Sequence, residues 1–167
     1  MSTPHPDQET IIIRCGIITV SDTRTPESDR SGQLIQQRLT DAGHQITHYC
    51  LLKDEPEAIK AQIKQLTQHS ELDVIIINGG TGIAPRDTTY DALAGLLEKT
   101  LPGFGELFRY LSYQEIGSRA MASRAIAGVY QNTLIFSLPG SSNAVKLALD
   151  QLILPELIHL TQQLQGR

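Results

Sequence analysis

The stretch DVIIINGGTG, residues 73–82, sets the expected fold of this chain. Its first six residues form a short, almost continuously apolar run, which is typical of a strand covered on both faces, as in a parallel sheet. Glycines follow at once, and glycine permits a tight turn and a close approach of the backbone to a ligand. Helical spacing of apolar residues then resumes over 88–99. The stretch predicts a strand, a turn and a helix in direct succession.

The same alternation precedes this unit. Apolar runs at 11–20 and 44–52 predict two further strands, and apolar residues recur at helical spacing over 34–42 and 55–69. Strands that alternate with helices in this order are typical of an α/β domain with right-handed crossovers. We therefore expect a three-layer, Rossmann-like fold, with a mostly parallel sheet flanked by helices.

The second half of the chain departs from simple alternation. Two strand-like runs, 125–130 and 133–138, are joined by Gln131 and Asn132, which predicts a β-hairpin. A long final helix follows, and we expect Pro155 to kink or restart it because proline cannot donate the backbone hydrogen bond.

A short helix is predicted before the hairpin, because apolar residues over 104–111 recur at intervals of three and four. Its aromatic stripe, Phe104 and Phe108, has two interpretations: packing in the core, or coverage of a subunit interface.

Composition limits the function classes. The 167 residues include 40% hydrophobic and 19% charged residues, which suits a single globular domain, assigned here to 11–167 after a flexible polar tail, 1–10. The net charge is −4 without a basic block, so we expect no nucleic-acid partner. No apolar run approaches eighteen residues and the N-terminus lacks a signal-peptide core, so we expect no membrane partner and a cytoplasmic protein.

Polar residues follow the carboxyl ends of the predicted strands, which is where a binding or catalytic site is most expected. In open α/β sheets, ligands bind at the carboxyl ends of strands, and free N–H groups at a helix start attract anions. The glycine turn at 79–82 is followed by Asp87, which could hold Mg²⁺ beside a phosphate or could only cap the next helix. Asp54 follows the second strand and has the same two interpretations, with Glu57 completing a capping box.

Two further polar turns are expected at the same sheet edge. Ser21 and Asp22 close the first strand, and residues 137–143 close the last strand and open the final helix. Each turn could bind an anion or only cap a helix. Four such turns along one edge would form a long pocket suited to anionic ligands.

The chain resembles the MoaB/MogA family of molybdenum cofactor biosynthesis proteins over residues 15–155. The most specific motifs are GGTG at 79–82, RDTT at 86–89 and SLPGS at 137–141. The segments PGFGELFRYLSYQEIG, 102–117, and SRAIAGVYQNTLIFSLPG, 123–140, favour the MoaB branch. This resemblance implies a fold of the molybdopterin-binding-domain type.

The resemblance also implies a reaction, the Mg-ATP-dependent adenylylation of molybdopterin, which is a substrate here and not a permanent cofactor. It implies that Asp54 and Asp87 are catalytic and hold Mg²⁺. The implied substrate-binding residues lie in the four turns: Ser21, Asp22, Gly79, Gly80, Thr81, Gly82, Thr88, Pro139, Gly140 and Ser141.

Partners follow from the same resemblance. It implies delivery of the product to a MoeA-type metal-insertion protein and a homo-oligomer, with a hexamer favoured over a trimer. The alternative within the same pathway is a non-catalytic protein that binds and carries molybdopterin. One departure from the family pattern is Tyr90, where proline is common, and it affects the start of a helix more than the chemistry.

Overall fold

The computed structural model describes residues 11–69 and 71–166, so the predicted tail, 1–10, lies outside the described residues. Within them, six strands form one sheet in the order β2-β1-β3-β6-β5-β4. The strands β2, β1, β3 and β6 run parallel, and β5 and β4 are added as antiparallel neighbours. The expected mostly parallel sheet is confirmed. The strands are β1 (Arg14–Val20), β2 (Gln45–Leu52), β3 (Val74–Asn78), β4 (Lys99–Thr100), β5 (Ile126–Tyr130) and β6 (Thr133–Leu138).

Helices cover both faces of this sheet, which confirms the three-layer architecture. They are α1 (Arg30–Asp41), α2 (Pro56–His69), α3 (Thr89–Ala94), α4 (Pro102–Ile116), α5 (Ser142–Ala148) and α6 (Leu154–Leu164). A 3-10 helix, Gly117–Ala122, follows α4. None of the helices in the described part of the chain has the length and apolar character needed to cross a membrane.

Alternate side chains of the central strands pack into two separate hydrophobic cores, one on each face of the sheet. On one face, Ile76 of β3 belongs to the core that includes residues of α1, α4, α5 and α6. On the other face, Ile75 and Ile77 belong to the core of α2 and α3. All three side chains are fully buried, as expected for a parallel strand covered on both sides.

Phe104 and Phe108 confirm the core interpretation of the aromatic stripe. Their rings lie 6.3 Å apart, and Phe104 meets Phe136 of β6 edge-on at 5.2 Å. The two side chains are 9% and 1% exposed, respectively. The stripe therefore packs α4 onto the sheet, and a different face of α4 is left open to solvent.

The prediction of a helix over 88–99 was wrong at its C-terminal end. α3 ends at Ala94, and Lys99 and Thr100 form the edge strand β4, paired with β5. Leu96 and Leu97 fit a helical period, yet they pack against the α2–α3 core from a turn. A two-residue strand whose side chains are both exposed has no alternating pattern that could have indicated it.

The hairpin and the irregular final helix are confirmed. Gln131 and Asn132 have φ of 46° and 63°, the pair of positive values that a type I′ turn requires. The final helix is interrupted by a π-helical turn, Leu149–Ile153, immediately before the segment that contains Pro155.

The register of the sheet aligns the carboxyl ends of its parallel strands. Thr19 of β1 is opposite Asn78 of β3, which is opposite Leu138 of β6, and Val20 is opposite Leu52 of β2. The polar turns that follow these strands therefore meet at one edge.

Candidate functional site

A cavity of about 430 Å³ opens at this edge, where three of the polar turns meet. The chain leaves β1 toward β2 on one side and later returns to β3 on the other, and such a switch point is where open α/β sheets bind ligands. Most of the predicted site residues contribute to the wall. The lining residues are Val20, Ser21, Thr23, Arg24, Gly79, Gly80, Thr81, Gly82, Asp87, Ser123, Pro139 and Gly140.

The glycine turn at 79–82 can be built only from glycine at its first two positions. Gly79 and Gly80 have φ of 101° and 69°. A Cβ on Gly79 would collide with the carbonyl oxygen of Val20, and one on Gly80 would lie 2.5 Å from Asp54 Oδ2. Within the described residues, the N–H groups of Gly80, Thr81 and Gly82 donate no hydrogen bond to another backbone group. The turn is therefore suited to binding phosphate oxygens.

Asp87 lies in the cavity wall, and it does not cap α3. Its Oδ2 accepts a hydrogen bond from the N–H of Ala84 at 3.0 Å, inside the same loop. The N-cap position of α3 belongs to Thr88, whose side chain makes no capping hydrogen bond. The geometry removes the capping alternative and leaves Asp87 as the acid that faces the cavity.

Asp54 is placed differently from Asp87. It is 6% exposed and is absent from the cavity lining. Its Oδ1 accepts hydrogen bonds from Thr88 N at 3.0 Å and Thr88 Oγ1 at 2.6 Å. The carboxylate thus links the end of β2 to the residue after Asp87, and the structure places Thr88 in this link instead of in the cavity wall.

Asp22 also connects neighbouring turns. Arg86 donates to both of its carboxylate oxygens, at 3.0 and 2.9 Å, and the N–H of Asp54 donates to Oδ1 at 3.1 Å. The hydrogen bond from Arg86, followed by the one from Asp54 N, lowers the pKa of Asp22 below its ordinary value. Asp22 lies outside the cavity lining. Its hydrogen bond from Asp54 N holds the turn after β1 to the turn after β2.

The two predicted serines are both used in local structure. Ser21 Oγ accepts hydrogen bonds from the N–H groups of Thr23 and Arg24, and Ser21 also lines the cavity. Ser141 caps α5 by accepting from the N–H of Ala144 at 3.2 Å. For Ser141 the capping interpretation is confirmed, while Pro139 and Gly140 beside it form part of the wall.

Arg24 is a cavity residue that sequence reasoning missed. Its Nη2 donates to the carbonyl of Gly140 at 2.9 Å, and its Nη1 lies 3.8 Å from Oδ1 of Asp29. Asp29 is fully buried and caps α1 through the N–H of Gly32. The position of Arg24 between Ser21 and Asp29 was a usable signal, since an anion pocket calls for a nearby cation.

Tyr49 of β2 completes the support of this arginine. Its hydroxyl donates to Oδ2 of Asp29 at 2.6 Å. Burial, and then the hydrogen bond to Asp29, raise the pKa of Tyr49 above its ordinary value, so the hydroxyl keeps its proton at neutral pH. Asp29 therefore holds Arg24 from a fixed position.

The donor set limits how a metal ion could bind. Over residues 11–69 and 71–166, no group of three or more His, Cys, Asp or Glu side chains is arranged to hold a metal. Mg²⁺ is often held by one or two carboxylates together with substrate phosphates. Asp87, in the wall beside the glycine turn, fits that mode. Asp54 is absent from the cavity lining: its Oδ1 is bonded to Thr88, and its Oδ2 lies next to Gly80.

A family comparison agrees with this geometry. The family described as "Probable molybdopterin binding domain" matches residues 16–159. The chain belongs to this family. The match covers β1 from its third residue, the other five strands completely and the whole cavity wall.

Individual relatives place the chain within the family. It is 51% identical over 162 residues to molybdenum cofactor biosynthesis protein B of Bacillus subtilis (strain 168), covering 96% of this chain and 95% of that protein. A crystal structure of molybdenum cofactor biosynthesis protein B superimposes with a TM-score of 0.91 at 51% identity, covering 96% of this chain and 100% of the other. The tungsten cofactor synthesizing protein MoaB from Pyrococcus furiosus gives 0.84 at 33% identity, covering 94% and 99%. The resemblance to the MoaB branch is confirmed.

Replacing Gly80 by alanine should disrupt the glycine turn. The new methyl group would meet Thr89 Oγ1 and Asp54 Oδ2, and the positive φ adds about 1–2 kcal/mol of strain. We expect Gly80→Ala to lower the free energy of unfolding in urea by at least that amount. Gly103→Ala is the matched control, because a Cβ there meets nothing within 4 Å. Equal stabilities for the two variants would show that the turn tolerates a side chain.

Removing Arg86 should raise the pKa of Asp22. Because the folded-state pKa lies below the ordinary value of 3.8, this group contributes stability above that pH and loses it as the pH falls through the lowered pKa. We expect Arg86→Gln to move the Asp22 carboxyl titration, followed by carbon NMR, toward its ordinary value. Arg38→Gln, which removes the partner of Asp150, should leave this titration unchanged. An unchanged titration in Arg86→Gln would contradict the pairing.

Proposed function

We propose that this MoaB-like protein acts in molybdenum cofactor biosynthesis as a Mg-ATP-dependent molybdopterin adenylyltransferase. One observation supports this most: a glycine turn suited to phosphate lies in the same cavity wall as the acid Asp87. Family membership supplies the pterin as the expected ligand. Transfer of this kind needs little covalent chemistry, so positioning and charge neutralisation would supply most of the rate.

In the proposed reaction, an oxygen of the terminal phosphate of molybdopterin attacks the α-phosphorus of ATP. The bond between that phosphorus and the bridging oxygen of the β-phosphate breaks. Adenylylated molybdopterin and pyrophosphate are the products. Mg²⁺, when bound with ATP, would neutralise charge on the phosphate oxygens.

The residues of the cavity divide this work. The backbone of 79–82 would hold phosphate oxygens, and Asp87 would be the ligand of the magnesium that accompanies ATP. Ser21, Pro139 and Gly140 would line the part of the cavity that binds the pterin and the nucleotide. Arg24 would provide positive charge there.

Asp54 has a different part in this proposal. Because its carboxylate bonds to Thr88 and is buried, we assign it to positioning Asp87, with no contact to substrate. Asp22, linked to Asp54 N and Arg86, supports the same arrangement.

Delivery of the product to a MoeA-type metal-insertion protein, and a cytoplasmic location, belong to the same proposal.

The proposal does not specify the metal of the final cofactor. One structural relative is named a tungsten cofactor synthesizing protein, and others are named for molybdenum. Both metals are inserted after the step proposed here, so the cavity need not distinguish them.

The second candidate is a carrier that binds molybdopterin without consuming ATP. The placement of Asp54 favours it, because only one of the two predicted catalytic acids lines the cavity. A carrier needs the phosphate-binding turn but no pair of acids.

The substitution Asp87→Asn separates the two candidates. We expect the variant to fold and to bind molybdopterin, and to lose adenylyl transfer by about 10²-fold or more, since the charge that holds Mg²⁺ is gone. The assay incubates protein with molybdopterin and Mg-ATP and detects adenylylated molybdopterin by chromatography and mass. Asp41→Asn, an exposed carboxylate at the far end of α1, is the control. Pterin binding without product in the unaltered protein would favour the carrier.

The open face of α4 supports the proposed homo-oligomer. Four of its large apolar side chains, together with Met121 of the following 3-10 helix, are more than half exposed, and such a patch on a small domain is typical of an interface. They are Leu107, Tyr110, Tyr113, Ile116 and Met121, with exposed fractions of 54%, 61%, 61%, 54% and 84%. By resemblance, a hexamer is favoured and a trimer is the alternative.

Light scattering at micromolar concentration tests this assembly. We expect a mass of several subunits for the unaltered protein and a smaller species for Tyr110→Glu, because a charge would be buried in an apolar contact. Gln65→Glu, exposed on α2, adds the same charge elsewhere and should leave the mass unchanged. A monomeric unaltered protein would contradict the proposal.

A further inference from the structure

Arg124 is the residue that joins the loop bearing Asp87 to the sheet. It stands two residues before β5, and its side chain is 27% exposed. We call residues 81–88 the acid loop, because they run from the glycine turn to Thr88 and include Asp87. Arg124 is absent from the cavity lining, and nothing in the proposed reaction uses it directly.

Arg124 bonds to both ends of the acid loop. Its backbone N–H donates to the carbonyl of Thr81 at 3.1 Å. Its Nε donates to the carbonyl of Gly82 at 3.0 Å, and its Nη2 donates to the carbonyl of Asp87 at 2.9 Å. One side chain therefore fixes the distance between the start of the loop and the acid.

The guanidinium group is itself held from the other side. Nη1 donates to both carboxylate oxygens of Asp91 in α3, at 3.1 and 3.2 Å. The ring of Tyr90 lies 5.0 Å from its central carbon. The three nitrogens of the planar guanidinium each reach a different acceptor, whereas the three N–H donors of lysine share one nitrogen and cannot span acceptors placed this far apart.

The acid loop has few other attachments at Asp87. The side chain and N–H of Asp87 bond to Ala84, which moves with the loop. Arg86 reaches Asp22, but that arginine is 61% exposed, and exposed ion pairs contribute little. Within the described residues, the other attachments are hydrogen bonds of Thr88: its N–H and Oγ1 donate to Asp54, and its carbonyl accepts from the N–H of Ala92 in α3. Arg124 is thus the main support of the acid loop on the side of β5.

We propose that Arg124 is a positioning residue for adenylyl transfer, which holds Asp87 at the cavity by bonding to the Gly82 and Asp87 carbonyls. The inference rests on the proposed function, because Asp87 must act on the substrate phosphates for its position to matter. A purely structural ion pair with Asp91 would instead stabilise α3 and leave the reaction unaffected.

Two measurements on Arg124→Gln and Arg124→Lys test this role. Hydrogen exchange of a peptide that spans 81–88 measures the mobility of the acid loop and needs no turnover. We expect faster exchange of this peptide in both variants, while exchange in peptides from β1 and β3 is unchanged.

In the transfer assay we expect kcat to fall by about 10²-fold with KM for molybdopterin nearly unchanged, because small misplacement of an acting group has effects of that size. Free guanidinium should restore part of kcat to Arg124→Gln.

Two control variants separate positioning from general stability. Asp91→Asn removes the ion pair but leaves both carbonyl contacts, so we expect a much smaller loss of kcat than in Arg124→Gln. Arg38→Gln breaks an ion pair of similar length, Arg38 to Asp150 at 3.3 Å, away from the acid loop, and should retain activity and loop exchange.

The outcomes distinguish this inference from the proposed function. Unchanged loop exchange in Arg124→Gln overturns the inference whatever the activity. Faster exchange with unchanged kcat also overturns it, because the loop position would then be irrelevant to transfer. Loss of the proposed function is recognised separately, by full turnover in Asp87→Asn or by the absence of product with the unaltered protein.

Discussion

The close approach of the backbone at the ends of β1 and β3 is the constraint on which the site depends. Gly79 packs so tightly against the carbonyl of Val20 that no Cβ fits between them, and Gly140 lies against Gly79 from the β6 side. The parallel register of the three strands brings these turns together, and glycine lets them touch. A cavity with a backbone wall follows from this packing. Within the described residues, the N–H groups at 80–82 donate to no other backbone group, so they remain available to a ligand.

Polar contacts between turns hold that wall in place. Asp22, Asp54 and Thr88 form a chain of hydrogen bonds from the end of β1, through the end of β2, to the acid loop. Arg24 bonds to the carbonyl of Gly140 after β6, and Arg124, which precedes β5, bonds to the carbonyl of Gly82 in the acid loop. Each arginine is paired with an aspartate outside the cavity lining, Asp29 or Asp91. The charged residues around the cavity therefore serve mainly to position backbone, and Asp87 is the acid left facing the ligand.

The sequence predicted the strands that are buried on both faces and the turn that follows them, because runs such as 73–78 have one stable placement in a sheet. It also located most of the cavity wall, since parallel strands carry their ends to one edge. It could not show which oxygen of Asp54 meets which neighbour, because that depends on the packing of two loops distant in sequence. Arg124 was missed for the same reason: its acceptors in the acid loop are main-chain carbonyls, which leave no pattern in the residue types. Arg24 was missed although its place between Ser21 and Asp29 was a usable signal. The edge strand β4 was missed because it is held only by pairing with β5.

The pairing of Arg24 with the buried Asp29 has a consequence for how an anion would be attracted. The cavity's arginine is already balanced by a carboxylate inside the protein, and the whole chain carries a net charge of −4. For the proposed polyphosphate ligand, long-range electrostatic attraction would therefore be weak, and recognition would depend on short-range contacts with peptide dipoles at the glycine turn. Such contacts are little affected by dissolved ions. Ligand affinity in this cavity would thus vary less with ionic strength than at a cluster of unpaired lysines and arginines, where counterion screening dominates.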